Sequence, residues 1–118
     1  MNQGKNKEIG DKGEKLAAYY LEQKGYTILE TNYRYKRTEI DLIGLKDSTI
    51  VFFEVKVRSS TDYGYPEEAV SENQTKRIIT AAEHYMENRS WDKNIRFDII
   101  AITLKPDIDI VQFEDAFY

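Results

Sequence analysis

Two carboxylates and a lysine in two neighbouring strand-like segments are the residues best suited to chemistry. Asp41 lies within Glu39–Leu45, and Glu54 and Lys56 lie within Thr49–Arg58. Both segments are rich in β-branched and other apolar residues, which favour strands. Carboxylate oxygens are ligands that hard divalent cations prefer, and a lysine beside such a cation stabilises developing negative charge. These residue types therefore suit metal-assisted chemistry on an anionic group.

A short polar turn at Asp47-Ser48 predicts that the two segments pair as an antiparallel hairpin. With residue 46 opposite residue 49, Asp41 is opposite Glu54. Their side chains then share one side of the sheet, with Cβ atoms roughly 4.5–5.5 Å apart. Facing like charges are destabilising unless something offsets them. A divalent cation would offset the two carboxylates, whereas Lys56 would do so only in part.

An exposed, ion-paired hairpin face is the alternative interpretation of the same residues. Glu39 would then pair with Lys56, and Asp41 with a nearby arginine, in contacts worth only about 0–1 kcal/mol. The strand of residues 49–58 is otherwise strongly apolar, however, which predicts a central position in the sheet. Charged side chains in the middle of a central strand need a reason beyond solubility, so the metal site is the favoured interpretation.

The elements that must position these residues are predicted in the order helix, three strands, helix, two strands. The first helix covers Lys12–Lys24 and stops at Gly25, and the second has Ser71 as its N-cap with Gln74 completing a capping box. The five strands are predicted at Tyr26–Thr31, Glu39–Leu45, Thr49–Arg58, Ile95–Leu104 and Ile108–Phe113. This order indicates an α/β domain with a sheet of mixed direction.

Length and composition indicate one domain over residues 1–118, with residues 1–10 mobile and a loop around Gly64 and Pro66. The absence of cysteine excludes disulfides and thiolate metal sites, and the single histidine, His84, cannot supply the imidazoles of most catalytic zinc sites. Apolar stretches are too short to cross a bilayer, and the N-terminus lacks the apolar core of a secretory signal. We therefore expect a cytoplasmic protein without a membrane partner.

The net charge of −4 is unevenly distributed. Residues 1–61 carry 11 basic and 9 acidic side chains, whereas residues 62–118 carry 6 basic and 12 acidic ones. The basic residues thus gather in the half that holds the predicted site, where bound cations would offset the carboxylates. A nucleic-acid partner is compatible with this distribution, although the acidic total argues against tight non-specific DNA binding by a monomer.

The ordered set of motifs resembles a known family. Glu39-Ile40-Asp41 followed by Glu54-Val55-Lys56 is similar to the metal-site signature of the PD-(D/E)XK nuclease superfamily. Gly13-Glu14 at a helix start is similar to the additional acidic position of archaeal Holliday-junction resolvases. With these and further motifs, the chain from about Gly10 to Ile102 resembles the YraN family of endonuclease-like bacterial proteins. The further motifs are Gly25-Tyr26, Asn32, Gly64, Ala69-Val70, Lys76 and Arg96-Phe97-Asp98.

The resemblance implies a restriction-endonuclease-like α/β fold, a mixed central sheet flanked by helices, and metal-dependent hydrolysis of phosphodiester bonds. The expected substrate is DNA, branched or repair-related DNA included. Mg²⁺ or Mn²⁺ would be held by Asp41, Glu54 and the main-chain carbonyl of Val55, with Glu14 nearby. Lys56 would orient the attacking water or stabilise charge on the phosphate. Thr38 departs from the glycine usual in the family, which predicts only a local backbone difference.

Five basic residues are expected to contact the nucleic acid, with a solvated surface as the alternative for each. They are Arg34, Lys36, Arg37, Arg58 and Lys76.

Asp98 is interpreted as structural support that needs a partner such as Arg96, and His84 as a surface residue. The alternative function is a nucleic-acid-binding or interaction module that keeps the site without cutting. A homodimer is compatible with the sequence, since many nucleases cut two strands as dimers.

Overall fold

Two helices and five strands follow one another in the predicted order in the computed structural model of the protein, which describes residues 2–58 and 71–116. The elements are α1 Asn2–Gln23, β1 Thr27–Tyr35, β2 Thr38–Lys46, β3 Thr49–Arg58, α2 Glu72–Arg89, β4 Asn94–Thr103 and β5 Asp109–Phe113. The loop predicted around Gly64 and Pro66 lies outside the described residues.

The strands form one mixed sheet in the order β1-β2-β3-β4-β5. Strands β3 and β4 run parallel, and the other neighbouring pairs of the described sheet are antiparallel. A parallel pair needs a long crossover, which here contains α2. The predicted α/β class is confirmed, and β3, which contains Glu54 and Lys56, lies in the centre of the sheet as predicted.

Each helix covers one face of the sheet. Along β3, Phe52 packs in a core cluster with Ile78 and Tyr85 of α2, whereas the next residue, Phe53, packs in a second cluster with Leu21 of α1. Successive side chains of a strand point to opposite faces, so α1 and α2 lie on opposite sides. The sheet is therefore buried on both faces, which explains why β3 is almost continuously apolar.

The ends of the two helices agree in part with the ends predicted from the sequence. Gly25 adopts a φ of 98°, which permits the turn after α1, and Ser71 accepts a hydrogen bond from the Gln74 backbone N–H at 3.1 Å as the N-cap of α2. Helix α1 begins at Asn2, well before the predicted Lys12. The predicted mobility of residues 1–10 stays a prediction.

The predicted end of the first strand at Thr31 is wrong, because the basic and aromatic residues that follow belong to the same strand. Strand β1 continues to Tyr35, where Tyr33 pairs with Ile40 and Arg34 pairs with Glu39 of β2. Only residues 36–37 remain between the two strands. Pairing satisfies the backbone polar groups of this segment, which outweighs the local polarity that suggested a loop.

His84 is also more than a surface residue. Its Nδ1 lies 2.8 Å from the Tyr33 hydroxyl, and its ring stacks on Tyr35 with centroids 4.1 Å apart. The side chain is half-buried between α2 and β1. Helical periodicity placed His84 on the polar side of α2, but could not show that the neighbouring strand ends in two tyrosines that cover it.

The interpretation of Asp98 as a buried, partnered structural residue is confirmed. Asp98 is 0% exposed, and Arg96 donates to its two carboxylate oxygens at 2.9 Å each. Gln112 of β5 donates at 2.8 Å, and the Asp115 backbone N–H donates at 2.9 Å. The hydrogen bond to Asp98 raises the pKa of Arg96, so the guanidinium stays charged. These contacts attach β5 and the following turn to β4.

Helix α1 packs closely on β3 at Gly13, where a Cβ would overlap Cγ2 of Val57. Gly13→Ala is therefore expected to lower the free energy of unfolding by about 1–3 kcal/mol, because the added methyl overpacks this contact. Alanine's better helix propensity, up to about 1 kcal/mol, offsets only part of that cost. Urea unfolding of the purified variant measures the change.

Gly10→Ala is the matched control, because nothing lies within 4 Å of a Cβ at Gly10. This variant is expected to be as stable as the wild type or slightly more stable. Val57→Ala combined with Gly13→Ala should recover much of the loss. Equal stabilisation by alanine at positions 10 and 13 would show that α1 does not pack this closely on β3.

Candidate metal centre

Asp41 and Glu54 meet where the β2–β3 ladder ends. The register runs from Lys46–Thr49 to Leu42–Phe53, which is the predicted register and makes Asp41 and Glu54 the next positions. The two carboxyl groups are close enough to share a hydrogen bond, and each side chain is only 9% exposed. The predicted meeting of the two carboxylates is confirmed, and an exposed ion-paired face does not describe them.

The backbone of β3 holds Asp41 in place. Its Oδ2 accepts a hydrogen bond from the Val55 backbone N–H at 2.7 Å. This hydrogen bond fixes the orientation of the Asp41 side chain. The second predicted role of Val55, a carbonyl ligand to the metal, stays a prediction.

Regular alternation of side chains along β2 would place Ile40 and Leu42 on one face of the sheet, and the structure departs from this around Asp41. Ile40 and Ile43 belong to the core cluster of α2, whereas Leu42 belongs to the cluster of α1. The irregularity lies beside Asn32 of β1, whose φ of 52° interrupts regular strand geometry. Local bending of the strand at a site residue is a feature that a period-two pattern cannot predict.

A second acidic contact brings Asp41 together with two other carboxylates. Oxygens of Glu14, Glu39 and Asp41 all lie within 4.8 Å of one another. Glu14 projects from α1 and accepts a hydrogen bond from Asn32 Nδ2 at 2.8 Å. Asp41 therefore contacts Glu54 and also joins the acids from α1 and its own strand. We call these four residues, Glu14, Glu39, Asp41 and Glu54, the acidic centre.

Sequence reasoning missed two residues of this site. Glu39 had been considered only as a partner of Lys56, but it forms an ion pair with Arg34 at 3.3 Å and joins the acidic centre. Gln74 donates from Nε2 to Glu54 at 2.9 Å, so its side chain does not complete the predicted capping box. The two-residue spacing of Glu39 and Asp41 was a usable signal. Nothing in the linear pattern indicated the contact of Gln74.

Burial and charge crowding change the acidity of the centre. Loss of hydration is the main cause that raises the pKa of Asp41, to about 8, and contact with Glu54 adds to it. Burial is also the main cause that raises the pKa of Glu14, with Asp41 contributing. Near neutral pH Asp41 therefore keeps its proton. A bound cation would take the place of that proton.

The donor set of the acidic centre fits a hard divalent cation. Carboxylate oxygens suit Mg²⁺ and Mn²⁺, and the close approach of buried acids is costly without positive charge between them. Among the described residues, no cysteine or histidine joins the group, so a soft metal is a poor match. Glu14, Glu39 and Asp41 are close enough together to share one cation, whereas Glu54 contacts Asp41 from the adjacent strand. Asp41 and Glu54 as ligands of Mg²⁺ or Mn²⁺ stay a prediction.

The comparison with known proteins decides the family. The family described as "Uncharacterised protein family UPF0102" matches residues 13–102, most of the chain. The chain belongs to the UPF0102 family. The resemblance to YraN proteins is thereby confirmed at the level of the family. The matched span contains every residue of the acidic centre, whereas β5 lies beyond it.

Relatives from several bacteria cover almost the whole chain. A UPF0102 protein of Christiangramia forsetii is 43% identical over 112 residues, which are 94% of each chain. One from Chlorobium phaeobacteroides is 44% identical over 117 residues, or 92% of each chain. A third, from Clostridioides difficile, is 49% identical over 100 residues, covering 84% of this chain and 88% of the other.

In this UPF0102 protein, Lys56 and Arg58 lie beyond Glu54 on β3, and both are half-buried. Lys56 follows Glu54 by two residues, so the two side chains leave the strand on the same side. Nη1 of Arg58 is buried and has no hydrogen-bond partner among the residues that the structure describes. The chemical role of Lys56 and the nucleic-acid contact of Arg58 stay predictions.

Three of the five basic residues predicted to contact nucleic acid share one concave surface of about 410 Å³. We call it the basic pocket, and it is lined by Tyr35, Lys36, Arg37, Thr38, Lys76, Arg77 and Thr80. Arg34 instead pairs with Glu39 of the acidic centre.

Within the described part of the chain, no helix is long and apolar enough to cross a membrane.

Proposed function

We propose that this UPF0102 protein hydrolyses phosphodiester bonds of nucleic acid, with DNA as its substrate, using Mg²⁺ or Mn²⁺. The single observation that carries the proposal is the buried contact of Asp41 with Glu54 on two central strands. Two buried carboxylates that face each other destabilise the fold unless a cation or a proton offsets their charge. Carboxyl groups with shifted pKa values in such settings are typical of functional sites.

Each of the two ligands is held by a different neighbour. The Val55 N–H holds Asp41, and the Gln74 amide holds Glu54, so both carboxylates are oriented before any metal arrives. When bound, the metal would lower the pKa of a coordinated water and supply the nucleophile. Lys56 would then stabilise the negative charge that grows on the phosphate.

The placement of the acids supports membership of the PD-(D/E)XK superfamily as part of the proposal. Asp41 and the pair Glu54 and Lys56 lie on adjacent antiparallel strands of a mixed sheet, and Glu14 reaches Asp41 from the first helix. This arrangement is what the sequence motif implied. The lack of cysteine and of a membrane-spanning helix among the described residues supports a cytoplasmic site of action.

The proposal is tested by incubating the wild-type protein with labelled single-stranded DNA, duplex DNA, a four-way junction and RNA. Mg²⁺ or Mn²⁺ is added in parallel reactions, with EDTA as the control. We expect metal-dependent cutting of DNA and none with EDTA. Metal-dependent binding without cutting of any substrate would instead favour the non-catalytic module. If the protein neither binds metal nor cuts any substrate, the acidic centre is a structural feature only.

A further inference from the structure

The basic pocket is a strongly positive surface on an acidic protein. Among its described lining residues are four cations, Lys36, Arg37, Lys76 and Arg77, and no carboxylate. The whole chain has a net charge of −4, so this concentration of positive charge is not an average property of the surface. Such a surface attracts a polyanion.

An aromatic ring in the pocket is held rigidly. Tyr35 stacks on His84 with an interplanar angle of 27°, and His84 is in turn hydrogen-bonded to Tyr33 at 2.8 Å. A ring fixed in this way loses little entropy when a ligand packs against it. Aromatic side chains within a cationic groove are the usual platform for nucleobases of single strands.

The size of the pocket suits a single nucleotide. A volume of about 410 Å³ falls in the range of small-molecule sites, roughly 300–1,000 Å³, and so admits one nucleotide. A base stacked inside a duplex cannot reach it without leaving the helix, whereas an unpaired base can enter directly. Contacts between the four cations and phosphates alone would not distinguish an unpaired base from a paired one, because both strands carry the same phosphates.

The pocket adjoins the acidic centre through both of its walls. Thr38 and Asp41 lie three residues apart on the same strand, β2. On the other wall, Arg77 follows Gln74, which contacts Glu54, by three residues, so the two side chains are neighbours on α2. A nucleotide in the pocket would therefore be held by the same strand and helix that position Asp41 and Glu54.

We propose that the basic pocket binds one unpaired nucleotide of the substrate strand, so that the protein selects nucleic acid containing an unpaired base over perfect duplex. That the ligand is a nucleic acid rests on the proposed function. The further step is that Tyr35 and the four surrounding cations, which are separate from the proposed metal ligands, select the unpaired nucleotide.

Fluorescence anisotropy in EDTA tests the pocket independently of catalysis. Three labelled DNA duplexes are compared. The first is fully paired, the second contains one bulged nucleotide, and the third contains one bulged abasic site. We expect the wild type to bind the bulged nucleotide about tenfold more tightly than either other duplex. Tyr35→Leu should remove that preference, because it removes the aromatic face while keeping an apolar side chain.

Thr80→Leu provides a second variant at an exposed position, where folding is not at risk. The larger side chain narrows the pocket and should also abolish the preference, whereas Asn88→Leu, exposed near the other end of α2, should not. Equal binding of all three duplexes by the wild type, or full preference in both pocket variants, overturns the proposal.

Failure of this proposal is distinguishable from failure of the proposed function. Metal-dependent cutting by a protein that binds the three duplexes equally would overturn the nucleotide pocket and leave the nuclease intact. A preference for the bulged nucleotide without cutting in Mg²⁺ or Mn²⁺ would support the pocket and count against the nuclease.

Discussion

Lys56→Met is expected to lower the rate of metal-dependent cleavage by about 10²–10³-fold without weakening metal binding. Methionine keeps much of the length and packing of lysine but cannot stabilise the charge that develops on the phosphate, and loss of one such contact has this order of effect. Single-turnover cleavage at saturating Mn²⁺ measures the chemical step, and a Mn²⁺ titration of each protein measures the affinity.

Two further variants make the result specific. Glu54→Ala should lose metal binding together with cleavage, because it removes a buried ligand. Lys93→Met, at an exposed lysine beside Trp91, should behave as wild type. If Lys56→Met cuts at the wild-type rate, Lys56 takes no part in the chemistry. If Glu54→Ala binds Mn²⁺ as tightly as wild type, the metal is held elsewhere.

Metal-free protein is expected to lose stability as the pH rises from about 4 to about 8. Asp41 has its pKa raised from 3.8 to about 8 in the folded chain, mainly by burial. The folded state therefore keeps a proton that the unfolded chain releases. This contribution is fully present below pH 3.8 and is lost as the pH passes the folded pKa. The loss is on the order of several kcal/mol, at roughly 1.4 kcal/mol per unit of pKa.

Asp41→Asn should flatten this dependence, so that the variant exceeds the wild type in stability at pH 8 and approaches it near pH 4. Adding Mg²⁺ at pH 8 should stabilise the wild type and not the variant, because the cation replaces the proton. Urea unfolding between pH 4 and 8.5, with and without Mg²⁺, measures both effects.

Asp47→Asn is the matched control, because Asp47 is exposed in the hairpin turn with a φ of 51°, which asparagine tolerates. Its stability should follow the wild-type pH curve. Parallel curves for wild type and Asp41→Asn would mean that Asp41 is ionised in the folded protein without a metal.

Local patterns were sufficient to predict the order of the elements and the meeting of Asp41 with Glu54. A two-residue turn leaves few registers for a hairpin, and β3 was apolar enough to indicate a central strand. The cap at Ser71 and the stop at Gly25 were predicted for the same reason, since both depend on residues within one turn of chain. Errors occurred where a neighbour distant in sequence decided the outcome.

The misjudged segments illustrate that limit. Residues up to Tyr35 form a strand because β2 pairs with them, although their own composition resembles a loop. Likewise, His84 is half-buried because Tyr33 and Tyr35 cover it. In each case the deciding contact joins residues that are far apart in the chain, and no local propensity carries that information.

By itself, the sequence determined the fold class, the central hairpin, and the residue types that suit a divalent cation. Those properties follow from periodicity, turn chemistry and charge, which act over a few residues. Tertiary structure decided that the acidic centre includes Glu39, that Gln74 orients Glu54, and that Lys36 and Lys76 share a pocket with Tyr35. These groups come from different helices and strands, so only the packing of the helices on the sheet brings them within contact distance.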